Sequence, residues 1–268
     1  MKTLKHFGLT SILFCFIIFA INIVVKGQES LIKKGDSVII KLPKPILKGS
    51  MSVEEAMATR RSIRDYSTTD SIVTLEEVSQ ILWAAYGITD TVTIQKFIPD
   101  SIRAKENIPD SVKFKTKQFF LKTAASAGAL YPLELYIVTT NVKDLAAGIY
   151  KYRTRGHYLL LLQTGDKRAE LCVTANKQKM VGKAAFNIVY SAVFARNTIK
   201  YEERGRERYV CMDLGHSSEN VYLQATALKL GTCASGNFFD EDVAKLLNMP
   251  KEEEPLFIMP VGRLKESK

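Results

Sequence analysis

The sequence predicts an α+β domain. Two observations carry that expectation. Three apolar, β-rich segments follow one another closely, "LELYIVTT" (133–140), "GIYKY" (148–152) and "HYLLLLQ" (157–163). Segments with helical spacing lie before and after them without strict β–α alternation, which argues against a doubly wound parallel sheet.

At the N-terminus, Lys2, Lys5 and His6 precede an apolar stretch from Leu9 to Val25, and "VVKGQ" places the small Gly27 before Gln28. A basic start, an apolar middle and a small-residue end predict a secretory signal over residues 1–27, hence export to a periplasmic or other extracytoplasmic space. An uncleaved membrane anchor is the alternative, because the apolar run is at the short end of what spans a bilayer. Phe14 is too bulky a neighbour for Cys15 to be a lipoprotein cysteine. Residues 28–50, rich in Lys, Pro and Gly, read as an extended lead-in rather than a packed element. The domain proper is expected over residues 51–268.

Within it, Ser52 and Glu55 form a capping-box pattern that opens a helix ending at a run of arginines. Thr74 is the expected N-cap of a second helix, "LEEVSQILWAAYG", with Leu75, Val78, Ile81, Leu82 and Ala85 on one face and Gly87 at its end. Its Trp83 reads as packing. From about 89 to 122 the periodicity is lost, and a long loop insertion is expected, of the kind that forms a lid or a partner-binding segment. After the three strands, with "RTRG" as a hairpin turn between the last two, come a helical piece near 166–181 and a buried central strand at "AAFNIVYSAVF" (184–194). The longest helix is expected from about Glu207 to Leu230. Asp213, Ser217, Asn220 and Gln224, with His216 beside them, draw one polar stripe along it, either a solvated face or a subunit interface with satisfied polar groups. A short helix over "DEDVAKLLNM" and a strand over "PLFIMPVGRL" finish the chain.

The formal charge of +10 falls to +7 once Lys2, Lys5 and Lys26 leave with the signal. That balance admits an anionic ligand, but the basic residues are scattered among acids, as in "YEERGRERY", and no nucleic-acid-binding motif occurs, so no nucleic acid is expected. Cys172, Cys211 and Cys233 are too dispersed for a disulfide framework, and with His157 and His216 they make no metal pattern. Phosphate loops, dinucleotide fingerprints and the serine and zinc hydrolase signatures are all missing.

What remains is "RRSIR". Arg60, Arg61 and Arg64 around Ser62, at a helix end, offer planar charged donors and a hydroxyl suited to a phosphate, although basic residues also simply complement a helix C-terminus. Two small-residue turns, "TAASAGALYP" (123–132) and "GTCASGNF" (231–238), leave backbone amides open to a flat or anionic ligand.

In this order, "RRSIRDY", "LEEVSQILWAAYGI", "SAGALYPLELYIV", "GIYKY", "IKYEERGRERY", "DLGHSSENVYLQATALKLG" and the terminal "PVGR" resemble the FMN-dependent nitroreductase family, in particular its SagB-like branch of azoline-oxidase-type enzymes. The resemblance spans roughly residues 50–264. It implies an intertwined homodimer with a central mixed or antiparallel sheet surrounded by helices and with FMN at the subunit interface. By the same resemblance Arg60, Ser62 and Arg64, assisted by Arg61, hold the phosphate and ribityl chain, and Arg263 returns to the phosphate. The turn Ala125, Ser126, Ala127 and Gly128 lies along the flavin, Ser235 and Gly236 bring backbone N–H groups near its N5 and O4, and Lys200 and Tyr201 serve proton abstraction. On residue type alone, Lys200 and Tyr201 read equally as a surface lysine beside a packing tyrosine. Ala125 stands where the branch carries proline.

The implied activity is a SagB-like dehydrogenase or oxidase that transfers a hydride from an organic or peptide-derived substrate to FMN. Export favours that reading over an NAD(P)H-dependent nitro or quinone reductase, which would lack its donor outside the cytoplasm. A non-catalytic flavin-binding accessory protein is the alternative of another class.

Overall fold

A computed structural model describes residues 31–34 and 37–265; the predicted signal of residues 1–27 lies outside them. An antiparallel sheet organises the domain, in the order β1-β2-β7-β6-β5-β8-β10-β9. Its strands are β1 (Leu31–Lys34), β2 (Ser37–Lys41), β5 (Leu133–Thr139), β6 (Gly148–Arg153), β7 (Tyr158–Thr164), β8 (Phe186–Ala192), β9 (Leu230–Thr232) and β10 (Glu254–Arg263). Every residue of β8, Asn187 and Ser191 included, is buried between β5 and β10, as a mostly apolar strand at the centre of a sheet should be.

Helices cover both faces. On one side α2 (Leu75–Tyr86) and α7 (Val210–Ala227) pack on Leu135, Ile137 and Tyr190 of the sheet. On the other, α4 (Arg168–Thr174), α5 (Lys179–Lys183) and α8 (Asp240–Leu246) cover Tyr136, Val138 and Val189. Burying each such side chain contributes about 1.5–3 kcal/mol, and β5 does so on both of its faces. The helix starts follow their caps: Ser52 Oγ accepts the Glu55 N–H in front of α1 (Val53–Thr59), and Thr74 with Glu77 forms a full capping box before α2.

Three expectations need correction. The lead-in is not wholly unpacked, because β2 pairs with β7 through Ile39↔Leu160 and Lys41↔Tyr158 and places β1 on the sheet edge. Four- and five-residue strands among lysines and prolines carry too short a pattern to stand out. The expected loop at 89–122 is a two-stranded arm instead. There β3 (Ile88–Phe97) pairs with β4 (Phe114–Lys122), while α3 (Asp100–Lys105) sits between them in sequence. At about 3.3 Å per residue the arm is roughly 33 Å long. Its outer half has no buried face, so no alternation of apolar and polar residues was selected there. The long helix begins later than expected: Gly205–Tyr209 form a wider π turn, α7 starts at Val210, and a further helix, α6 (Ala195–Tyr201), precedes both.

Candidate active site

α7 organises the site, because its two sides hold different sets of predicted residues. Asp213, Ser217, Asn220 and Gln224 share one side, and the structure satisfies all four within the chain. The Asp213 carboxylate accepts Ser126 Oγ–H at 2.5 Å and the Ala127 N–H at 3.1 Å. Ser217 Oγ donates to the Ala85 carbonyl at 2.6 Å, Asn220 Nδ2 to the Thr123 carbonyl at 3.2 Å, and Gln224 Oε1 accepts from Gln80 Nε2 at 3.0 Å. The stripe is therefore not a solvated face, and its polar groups find their partners within the chain. It docks α2 and the "ASAG" turn onto α7. Asp213 is 1% exposed, and burial raises its pKa against the pull of the two donors.

The turn so held is unusual backbone. Gly128 has φ of 65°, and Ala129 and Tyr131 also take left-handed values of 51° and 49°. Ser126 Oγ accepts the Tyr131 N–H at 2.9 Å, and the Ala125 carbonyl lies 3.1 Å from His216 Nδ1. A Cβ on Gly128 would stand 2.7 Å from Tyr201 Oη and 2.9 Å from Lys200 Nζ. Residues some 70 positions apart in sequence, the small turn and the Lys-Tyr pair, thus converge on one spot. Tyr201 packs edge-on against Tyr209 with centroids 4.7 Å apart, and Lys200 is exposed.

On the other side of α7 stand the arginines. The Arg60 guanidinium lies 5.2 Å above the Tyr222 ring and 3.8 Å from Glu219. Ser62 Oγ is 3.4 Å from Tyr222 Oη, which also accepts the Ala234 N–H at 2.7 Å. The Ile63 N–H donates to the Thr232 carbonyl, so "RRSIR" and "GTCASG" run side by side. Tyr222 is the hub between them, and nothing in its spacing singled it out in the sequence. Arg64 is exposed, with no ion-pair partner among the described residues.

Other predicted residues are already engaged. Arg61 turns back to the carbonyls of Ala58 and Arg60, at 3.1 and 2.7 Å. Arg263 is clamped by both Glu77 oxygens, each at 2.7 Å, and by the Ile72 carbonyl at 3.0 Å. The Ser235 N–H donates to the Ile258 carbonyl at 2.9 Å, so it is not a free donor; Gly236 beside it is exposed.

The two sets stand on different sides of α7. Asp213 and Tyr222 are nine positions apart on α7, which at about 100° and 1.5 Å per residue places them on opposite sides and about 13 Å apart along the axis.

Comparison with known proteins decides the family, since the nitroreductase family profile matches residues 57–263. The chain belongs to the nitroreductase family. A Methanocaldococcus jannaschii protein named as a nitroreductase is 35% identical over 229 residues, covering 85% of this chain and 98% of that protein. The microcin B17-processing protein McbC of Escherichia coli is 29% identical over 157 residues, 53% of this chain and 54% of McbC, so the chain matches about half of that relative. Among solved structures, a Ralstonia eutropha protein described as a nitroreductase superposes with a TM-score of 0.65 at 23% identity, covering 91% of this chain and 98% of that one. The fold is therefore the nitroreductase fold, and the protein is an oxidoreductase. Nitroreductases generally use FMN, and the residues present fit such a group. The left-handed Gly128 keeps the turn free of side-chain bulk where Lys200 and Tyr201 close on it, and Arg64 leaves a cation uncommitted.

Proposed function

We propose that this nitroreductase is an exported, homodimeric FMN oxidoreductase of the SagB-like kind that oxidises an organic or peptide-derived substrate. The observation that carries it is the convergence of Gly128 with Lys200 Nζ and Tyr201 Oη. The contact sets Lys200 Nζ and Tyr201 Oη beside a small-residue turn, so a flat cofactor lying along that turn would have proton-transfer groups at its edge. The relation to McbC, named for processing microcin B17, supports a peptide-derived substrate.

When bound, FMN supplies the two-electron acceptor that no side chain here can provide. Arg60, Ser62 and Arg64 would hold its phosphate, with Tyr222 fixing Ser62 and the Ala234 turn in register. Asp213 would keep Ser126 and Ala127 aimed along the ring. Lys200 would take the proton from the substrate carbon or nitrogen, and Tyr201 would relay it. Lys200 is exposed in the single chain, so its shielding from water would come from whatever packs over it. The separation of the two residue sets across α7 supports a second copy in that role, with one chain's arginines and the other chain's turn sharing each FMN. The basic-then-apolar first 27 residues support export, where nicotinamide donors are scarce.

The test is anaerobic mixing of FMN-loaded protein with NADH, with NADPH, and with an azoline-containing peptide. Loss of the flavin absorbance band with the peptide alone is expected, and its abolition in Lys200→Ala with FMN retained. Rapid loss with NADH or NADPH and none with the peptide would overturn the reading in favour of a nicotinamide-driven reductase.

A further inference from the structure

A cavity of about 270 Å³ lies where the base of the β3–β4 arm meets strands β5, β6 and β7. Its walls include Tyr86, Tyr152 and Tyr158, and three cations reach it: Lys122, Arg153 and Arg155. We propose that this cavity is a binding site for a small ligand with a flat body and one oxyanion, a carboxylate or a phosphate ester, held by Lys122, Arg153 and Arg155.

Charge balance is the first argument. The one carboxylate in the lining, Glu134, already accepts from Arg196 at 2.6 Å and lies 3.4 Å from Lys151. None of Lys122, Arg153 and Arg155 forms an ion pair among the described residues. Three cations around one concave space, with its only acid neutralised elsewhere, leave a focused positive potential. Two planar guanidinium groups match the two oxygens of a carboxylate or the edge of a phosphate.

The second argument is the state of Lys122. Its ammonium rests 3.6 Å from the Tyr86 ring centroid and 5.0 Å from that of Tyr131, contacts that hold it without a counter-ion. Burial lowers its pKa to about 7, against a smaller opposing effect of Glu134. An arriving anion would supply the missing partner. The aromatic walls suit a flat body, and the volume falls just below the roughly 300–1,000 Å³ usual for drug-sized ligands, which points to a small one.

The cavity also backs onto the turn of the active site. The Lys122 N–H donates to Tyr131 Oη at 3.2 Å, and the Tyr131 N–H donates to Ser126 Oγ at 2.9 Å. The site nevertheless involves none of the residues assigned to FMN, and the proposal does not depend on that assignment.

Pyridoxal 5′-phosphate, a flat phosphate ester bearing an aldehyde, tests it on the full-length protein saturated with FMN and on the same protein without added FMN. An unprotonated lysine amine adds to the aldehyde with loss of water, borohydride reduces the resulting C=N bond, and peptide mapping locates the label. The expected result at pH 7 is labelling of Lys122 at least about tenfold faster than of other lysines, because a phosphate seated on Arg153 and Arg155 brings the aldehyde to the Lys122 amine, which is in part unprotonated at that pH. Protection by benzoate would identify the carboxylate as the favoured oxyanion, and protection by inorganic phosphate the phosphate. An Arg153→Gln, Arg155→Gln double variant with an unchanged melting temperature should lose most of the selectivity. Labelling spread evenly over surface lysines, or selective labelling that neither anion nor the double variant diminishes, would overturn the proposal, and because the readout is the labelled position, failure of FMN binding would not affect it.

Discussion

Gly128 and Tyr201 approach so closely that a single added carbon on Gly128 would lie 2.7 Å from the tyrosine hydroxyl. With φ at 65°, the position resists any L side chain on backbone grounds as well. Gly128→Ala should therefore cost about 1–2 kcal/mol of stability from the left-handed backbone. Since Tyr201 and Lys200 must swing away, turnover should fall by about tenfold or more. Thermal melting and steady-state kinetics on one preparation separate the two effects. Wild-type turnover in this variant would remove the Lys-Tyr pair from the chemistry.

Asp213 restrains the turn from the other side. Asp213→Ala leaves the Ala127 N–H and Ser126 Oγ without their buried acceptor, a loss of about 2–4 kcal/mol for two charge-assisted bonds. FMN affinity should fall with it, whereas Asp213→Asn, which keeps an acceptor oxygen for Ala127, should retain more of both. Chemical denaturation and flavin fluorescence titration would show whether the three proteins rank in that order.

Arg64 and Arg263 should behave oppositely, although the sequence presents both as phosphate ligands. Arg64→Ala removes an exposed side chain and should leave the melting temperature unchanged while weakening FMN binding by about 10- to 100-fold, the value of one charged hydrogen bond. Arg263→Ala strands Glu77, which also caps α2, and should lower stability by about 2–3 kcal/mol before any effect on FMN is considered. Calorimetry on both variants distinguishes the ligand from the brace.

His157 makes stability pH-dependent. Its ring joins the Pro43 carbonyl, Ser79 and Tyr152, tying the segment after β2 to the sheet. Burial lowers its pKa below the ordinary histidine value. The unfolded chain therefore binds the proton first, so stability should fall as pH drops below about 6.5, by at most about 1.4 kcal/mol per pH unit. Denaturation midpoints between pH 5 and 7.5 should show this slope, and His157→Gln should flatten it.

Local rules made some of these features legible in the sequence. The Thr74 N-cap and the buried central strand β8 are encoded by neighbours, and both are where the sequence put them. The arm was not legible, because Thr91, Thr93 and Gln95 face solvent as fully as Val92 and Ile94, and period-two contrast exists only where one face is buried. The polar stripe on α7 was visible as a stripe, but its purpose depends on Ser126 and Ala127, 87 and 86 positions from Asp213. Arg263 shows the limit most plainly. Its residue type fits a phosphate, and only the fold reveals Glu77, 186 positions away, in the place of one.

The central claim is that these residues hold FMN. It is tested most directly by incubating purified residues 28–268 with FMN, removing the free cofactor by desalting, and recording the absorbance spectrum. The account predicts a retained flavin band corresponding to about one FMN per chain, reduced in Arg64→Ala. A protein that emerges colourless after saturation with FMN, while still folded by circular dichroism, would contradict it.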